Sequence, residues 1–109
     1  LVEKAQRLNP AAPPWYTWNL GIAYYLARRY DDAVTALRRG RPLDAMAYRW
    51  LAASYAQLGR DLDAKAAAEE YLKRTPDFSL ASHLEMVHFQ HAQDRDHYAE
   101  GLRKAGLPE

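Results

Sequence analysis

The sequence predicts an all-α protein in which antiparallel helix pairs stack as a solenoid. Three observations lead there. Apolar residues recur at spacings of three and four through long segments rich in Ala, Leu, Arg and Glu, with few strand signals between them. Prolines and glycines punctuate those segments at Pro10, Pro13, Pro14, Pro42, Gly59, Pro76 and Gly106, and the short connections they leave favour antiparallel neighbours. One pattern of residues also returns along the chain.

Seven helical pieces follow, over 1–8, 14–27, 30–39, 45–58, 61–74, 78–92 and 94–105. The first closes at Pro10. Its Ala5-x-x-Leu8-x-Pro10 matches Tyr71-x-x-Arg74-x-Pro76, so residues 1–10 read as the last helix of a preceding repeat. The chain, which opens on Leu1, is therefore expected to be a piece of a longer array.

The second piece carries two stripes rather than the usual single apolar face. Thr17, Leu20, Gly21, Tyr24 and Ala27 form one; Trp15, Trp18, Asn19, Ile22, Tyr25 and Leu26 form the other. Segment 30–39 opens on Asp31 and Asp32 and ends on Arg38 and Arg39, an order that suits the helix dipole. The 45–58 piece repeats the double stripe, with Tyr48, Leu51, Ala52, Tyr55 and Leu58 on one face and Met46, Arg49, Trp50, Ala53 and Gln57 on the other. Segment 61–74 again starts on aspartates, Asp61 and Asp63. Like its counterpart it is lined with small residues, Ala64, Ala67 and Ala68 answering Ala33 and Ala36.

Leu20, Gly21, Tyr24 and Ala33 recur as Leu51, Ala52, Tyr55 and Ala64, at an offset of 31 (51 − 20 and 64 − 33). A third frame places Met86 and Phe89 on Ala52 and Tyr55, 34 positions on (86 − 52 and 89 − 55). There the alanine has become Tyr98, and Glu85 stands where the second unit has Leu51, so this unit is degenerate. The predicted organisation is 1–10, the end of an earlier repeat; 14–44 and 45–78, two repeats; and 79–109, a degenerate or capping unit with its tail.

This pattern resembles the tetratricopeptide repeat, an aromatic-x-x-Leu-Gly-x-x-Tyr run followed by alanine, a large apolar residue and proline over about 34 residues. It reads Leu20-Gly21, Tyr24, Ala33, Leu37 in one unit and Tyr48, Leu51, Ala52, Tyr55, Ala64, Ala68, Pro76 in the next. Thr17 departs from it at the first aromatic, and the turn around Gly40 to Leu43 is short of the full period. The tail Gly101-Leu102-Arg103-Lys104-Ala105-Gly106-Leu107-Pro108-Glu109 is similar to the end of the repeat region in bacterial multidomain class III adenylate/guanylate cyclases. That resemblance implies a cytoplasmic signalling protein whose catalytic domain lies upstream. It carries no catalytic, nucleotide-binding or metal-binding residue into this chain.

The resemblance also implies a use for the two stripes. The first packs on the paired helix, with Gly21 and Ala52 kept small for a close crossing. The second lines a concave face and partly contacts the next repeat. Trp15, Trp18, Ile22, Tyr25, Met46 and Trp50 would anchor a peptide or a partner domain there, because Trp, Tyr and Arg are favoured as binding anchors. Asn19 and Arg49 would add polar selectivity, and His83, Leu84, Val87 and His91 would extend the groove. The partner is a protein or peptide, or an upstream domain of the same chain. A purely structural use, with the same aromatics spent on packing or homodimerisation, stands beside it; Trp18 and Trp50 incline to packing and Trp15 to exposure.

Other classes find little purchase. With 15 Lys and Arg against 14 Asp and Glu the net charge is +1, and no bulk attraction to nucleic acid or membrane follows. The run Arg38-Arg39-Gly40-Arg41 reads as a solvated helix end. The absence of cysteine excludes disulfides and thiolate metal sites. His88 and His91 have a helical metal-ligand spacing, but no His-Glu-x-x-His pattern accompanies them. No Gly-rich phosphate loop and no nucleophile motif is present. The sequence thus predicts no catalytic residue, cofactor or metal in this chain.

Overall fold

The computed structural model describes residues 14–39 and 43–109, with side chains from residue 18 onward. The expected helix over 1–8 and the Trp15 and Thr17 side chains lie outside the described residues. Six helices form among those described, and no strand: α1 (Pro14–Leu26), α2 (Tyr30–Arg39), α3 (Ala45–Gln57), α4 (Asp61–Arg74), α5 (Leu80–Met86) and α6 (Ala92–Lys104). The chain is all-α, and α2 and α4 keep their predicted bounds.

The helix ends follow from their residues. Pro14 begins α1, where a missing N–H costs nothing. Asp44 caps α3 by accepting from the Ala47 amide at 3.0 Å. Ser79 caps α5 through the Ser82 amide at 3.4 Å. Asp31 and Asp32 open α2, and Asp61 and Asp63 open α4, against the positive ends of the helix dipoles.

Three helices close in one way. After α1, Arg29 N donates to Tyr24 O and Arg28 N to Tyr25 O; after α3, Arg60 N donates to Tyr55 O and Gly59 N to Ala56 O; after α6, Leu107 N donates to Leu102 O and Gly106 N to Arg103 O. The central residue is left-handed each time, with φ of 77° at Gly59, 89° at Gly106 and 63° at Arg28. Glycine enters that region freely, whereas arginine enters it with strain.

Helix α1 pairs with α2 and α3 with α4 across short turns, and α2 packs against α3. Leu20, Tyr24, Leu51, Ala52 and Tyr55 bury the first stripe, with Ala33, Ala36, Ala64, Ala67 and Ala68 opposite. At Gly21 a Cβ would lie 2.5 Å from both Cγ and Cδ2 of Leu37. The glycine therefore stands where α2 crosses α1 too closely for any side chain. Ala27, expected in the same stripe, is exposed because α1 has already ended at Leu26.

The last third of the chain departs from the expected 78–92 helix. Helix α5 stops at Met86, and Val87 turns extended, with φ −80° and ψ 147°. Seven residues hold a helix only weakly on their own. Leaving it lets Val87 and Phe89 pack against the core, with the Phe89 ring centroid 5.5 Å from that of Tyr98. The turn sends α6 back across the molecule, where it packs chiefly on α3, touches α1, and meets α5 only lightly.

Gly21→Leu is expected to destabilise by roughly 1–3 kcal/mol through overpacking against Leu37, and an unchanged melting temperature would refute the crossing. Arg28→Gly is expected to do the reverse. Relief of left-handed strain outweighs the added freedom of the unfolded chain, for a net gain of about 0.5–1 kcal/mol in a urea melt; a lower midpoint would show that Arg28 is unstrained.

Candidate functional site

The second stripes of α1 and α3 meet side by side, and α6 lies on them. Trp50 stacks against Tyr98 with ring centroids 4.3 Å apart, and Tyr25 stacks against His97 at 4.5 Å. Tyr25 and Trp50 themselves meet edge to face at 5.3 Å. The Tyr25 hydroxyl donates to the His97 carbonyl at 2.7 Å and accepts from Gln57 Nε2 at 3.2 Å. Close approach requires Gly101, since a Cβ there would run into Tyr25 Oη and sit 3.0 Å from the Ala53 Cβ. Gln57 also donates to Glu100 at 3.1 Å and accepts from Lys104 at 3.0 Å, which ties the rim.

The predicted site residues therefore divide. Tyr25 is fully buried and Trp50 is 4% exposed, both beneath α6, so neither presents a ring to solvent in this conformation. Trp18 and Ile22 are half-buried and Asn19 is exposed on α1. Met46 and Arg49 are half-buried on α3. Leu84 is buried and His83 and Val87 half-buried, gathered around α5. His91 is exposed, outside that group. His88 and His91 fall in or beside the non-helical 87–91 stretch, so their supposed helical spacing does not exist. No cluster of three potential metal ligands occurs among the described residues.

Sequence reasoning missed the residues of α6. Tyr98 stands where the third frame of the recurring sequence pattern expects a small alanine, and that was the available signal: the helix carries a large ring where it covers a face. Gly101, interior to α6, was a second one. Tyr30 was a third omission; its hydroxyl lies 2.6 Å from His97 Nε2.

Two histidine–tyrosine pairs mark the seams. His97 pairs with Tyr30, and His83 Nε2 lies 2.6 Å from Tyr98 Oη. Burial holds both tyrosine hydroxyls at the site, Tyr25 and Tyr98, well above the ordinary tyrosine range, so they stay neutral donors. Burial also lowers both histidines. His83 falls from 6.5 to about 4, with the Arg49 charge adding to the effect, and His97 is lowered with Arg28 adding to it.

No protein-family model, no curated protein and no solved structure matches the chain. Among the described residues, no helix is long and apolar enough to cross a membrane.

The histidines fix a pH window. Their folded values lie below the unfolded value, so the folded state resists protonation that the unfolded chain accepts. The stabilising contribution of His83 is complete above about pH 6.5 and is lost as pH falls toward about 4, and that of His97 is lost in the same direction. Around His97 the charges of Arg28 and Lys104 favour the neutral ring, while Glu100 and Asp94 oppose them. The depressed carboxylates of Glu70 and Glu100 titrate lower, below their ordinary value of 4.5. The melting temperature is therefore expected to drop between pH 7 and pH 5, and His83→Gln to flatten part of that drop. An equal drop in the variant would remove His83 from the account.

Proposed function

We propose that the chain is a non-catalytic helical-repeat module of the tetratricopeptide kind, and that its inner aromatic face is a receptor for one amphipathic helix. The observation that carries this reading is the seating of α6: Tyr98 and His97 lie flat on Trp50 and Tyr25, with Gly101 admitting the close crossing. Helix-in-groove recognition lays anchors at helical spacing into an apolar groove between chains, and Tyr98, Gly101, Leu102 and Ala105 are buried at that spacing. Here the helix comes from the chain itself.

The repeat assignment draws support from the paired helices and from the left-handed caps at Arg28 and Gly59, which fall at the sequence offset of 31 (59 − 28). In the longer, cyclase-like cytoplasmic protein that the tail suggests, a helix from an upstream domain or a partner protein would compete with α6. Binding would then release the tail, and the module would transmit occupancy of the face as a change in its C-terminal helix.

A second reading has its own observation. Tyr25 and Trp50 are buried as deeply as core residues, which suits α6 as a permanent structural cap. Native-state hydrogen exchange separates the two. A receptor face predicts that α6 amides exchange through a partial opening, at least about 1–2 kcal/mol below the opening of α3 and α4. Gly101→Ala, which drives a methyl into Tyr25, should lower the α6 opening energy further while α3 and α4 keep theirs. Exchange of all three helices in one global step would establish the permanent cap and end the receptor reading.

A further inference from the structure

We infer that the cleft between α5 and the α3–α4 pair is a binding site for a monocarboxylate with an apolar body, with Arg49 as the carboxylate anchor. This inference does not require α6 to move and stands apart from the receptor reading.

The cleft has a volume of about 430 Å³, within the range of small-molecule sites. It lies where α5, which ends early, meets α6 lightly and makes no close helix packing against α3 or α4. Arg49, Tyr71, Phe78, Ser82, His83 and Met86 define its chemistry.

Arg49 is a half-buried cation at the cleft. Arg29, Arg60, Arg74 and Arg103 each pair with a carboxylate, at 2.7, 2.7, 2.9 and 3.1 Å. No carboxylate pairs with Arg49 among the described residues. Its Nε is shut off from solvent and has no hydrogen-bond partner in the protein. Its charged carbon lies 5.6 Å from the Tyr71 ring centroid. A guanidinium half removed from water and lacking an anion is costly, and a carboxylate is the planar acceptor that fits its fork of donors.

The surroundings fix the ligand class. His83 Nε2 lies 2.6 Å from Tyr98 Oη, and burial keeps the ring neutral, so His83 lines the cleft without adding a second charge. Ser82 supplies a hydroxyl. Tyr71, Phe78 and Met86 supply apolar walls, Met86 being otherwise exposed. Asp77 at the same cleft is a carboxylate, whose repulsion falls on any anion but about twice as strongly on a dianion such as phosphate. One cation, neutral polar groups and aromatic walls match an aromatic or aliphatic acid. The carboxylate is carried either by a free acid or by the C-terminus of a peptide ending in an apolar residue.

The test uses the full chain labelled with nitrogen-15 and titrated with 3-phenylpropionate, its neutral amide, and inorganic phosphate. The acid is expected to shift the Arg49 Nε–Hε resonance with a dissociation constant at or below about 1 mM. The amide and phosphate should leave it in place. Ser82→Trp fills the cleft and keeps the charge; Arg49→Met keeps the cleft and removes the charge. Read from the backbone amide of His83, which both variants keep, each should weaken the acid by roughly tenfold or more. If Arg49→Met fails to fold, Ser82→Trp decides. A peptide with a C-terminal Phe, compared as acid and as amide, assigns the source: tighter binding of the peptide acid than of 3-phenylpropionate points to a chain terminus, weaker binding to a free acid. Equal shifts from acid and amide, displacement by phosphate, or an undiminished shift in Ser82→Trp would overturn the inference.

Discussion

The stacking of Tyr98 on Trp50 and of His97 on Tyr25 is the contact on which the rest of the molecule's arrangement depends. Each such ring pair contributes about 0.5–1.5 kcal/mol beyond the area it buries. Without α6 the adjoining faces of α1 and α3 would show two large aromatic rings and a stripe of alanine to water. That is the kind of apolar patch that soluble chains keep covered. The polar groups agree with the apolar ones: the Tyr25 hydroxyl, deep in the seam, finds both an acceptor on α6 and a donor on α3. Gly101 makes the approach possible, and Gln57 closes the rim against Glu100 and Lys104.

Much of the fold was legible because its signals are local. Gly21 and the alanines of α2 and α4 announce close crossings, and the predicted partner of Gly21 is the neighbouring helix that supplies Leu37. The bounds of α2 and α4 follow from aspartates at one end and basic residues at the other. The double stripe on α1 and α3 likewise revealed a second buried face. What covers that face was not legible, since the answer lies some seventy positions away. Tyr98 read as decay of the repeat, although its ring is the covering group. The end of α5 was hidden for a different reason. Val87 and Phe89 continue a helical pattern, and only the gain from burying them near Tyr98 draws the backbone out of the helix.

Arg28 shows the cost of the same repetition. The chain needs a left-handed residue at the end of α1 as it does at the end of α3, but supplies arginine in one place and glycine in the other. The side chain lies near His97, whose ring it helps keep neutral. A strained turn and a buried histidine in the seam are thus neighbours, and both belong to the boundary between α6 and the first helix pair.

Most contacts in a stack of helix pairs join residues close in sequence, and such chains assemble from any point outward. The Tyr25–His97 bond joins residues 72 positions apart. Closing a loop of that length costs roughly 1–2 kcal/mol more than closing an adjacent helix hairpin. The helix pairs can therefore form early, while the seating of α6 waits for both ends of the chain. Once closed, this loop links the first and last described helices, so the seam between them, rather than any single helix turn, sets when the fold is complete.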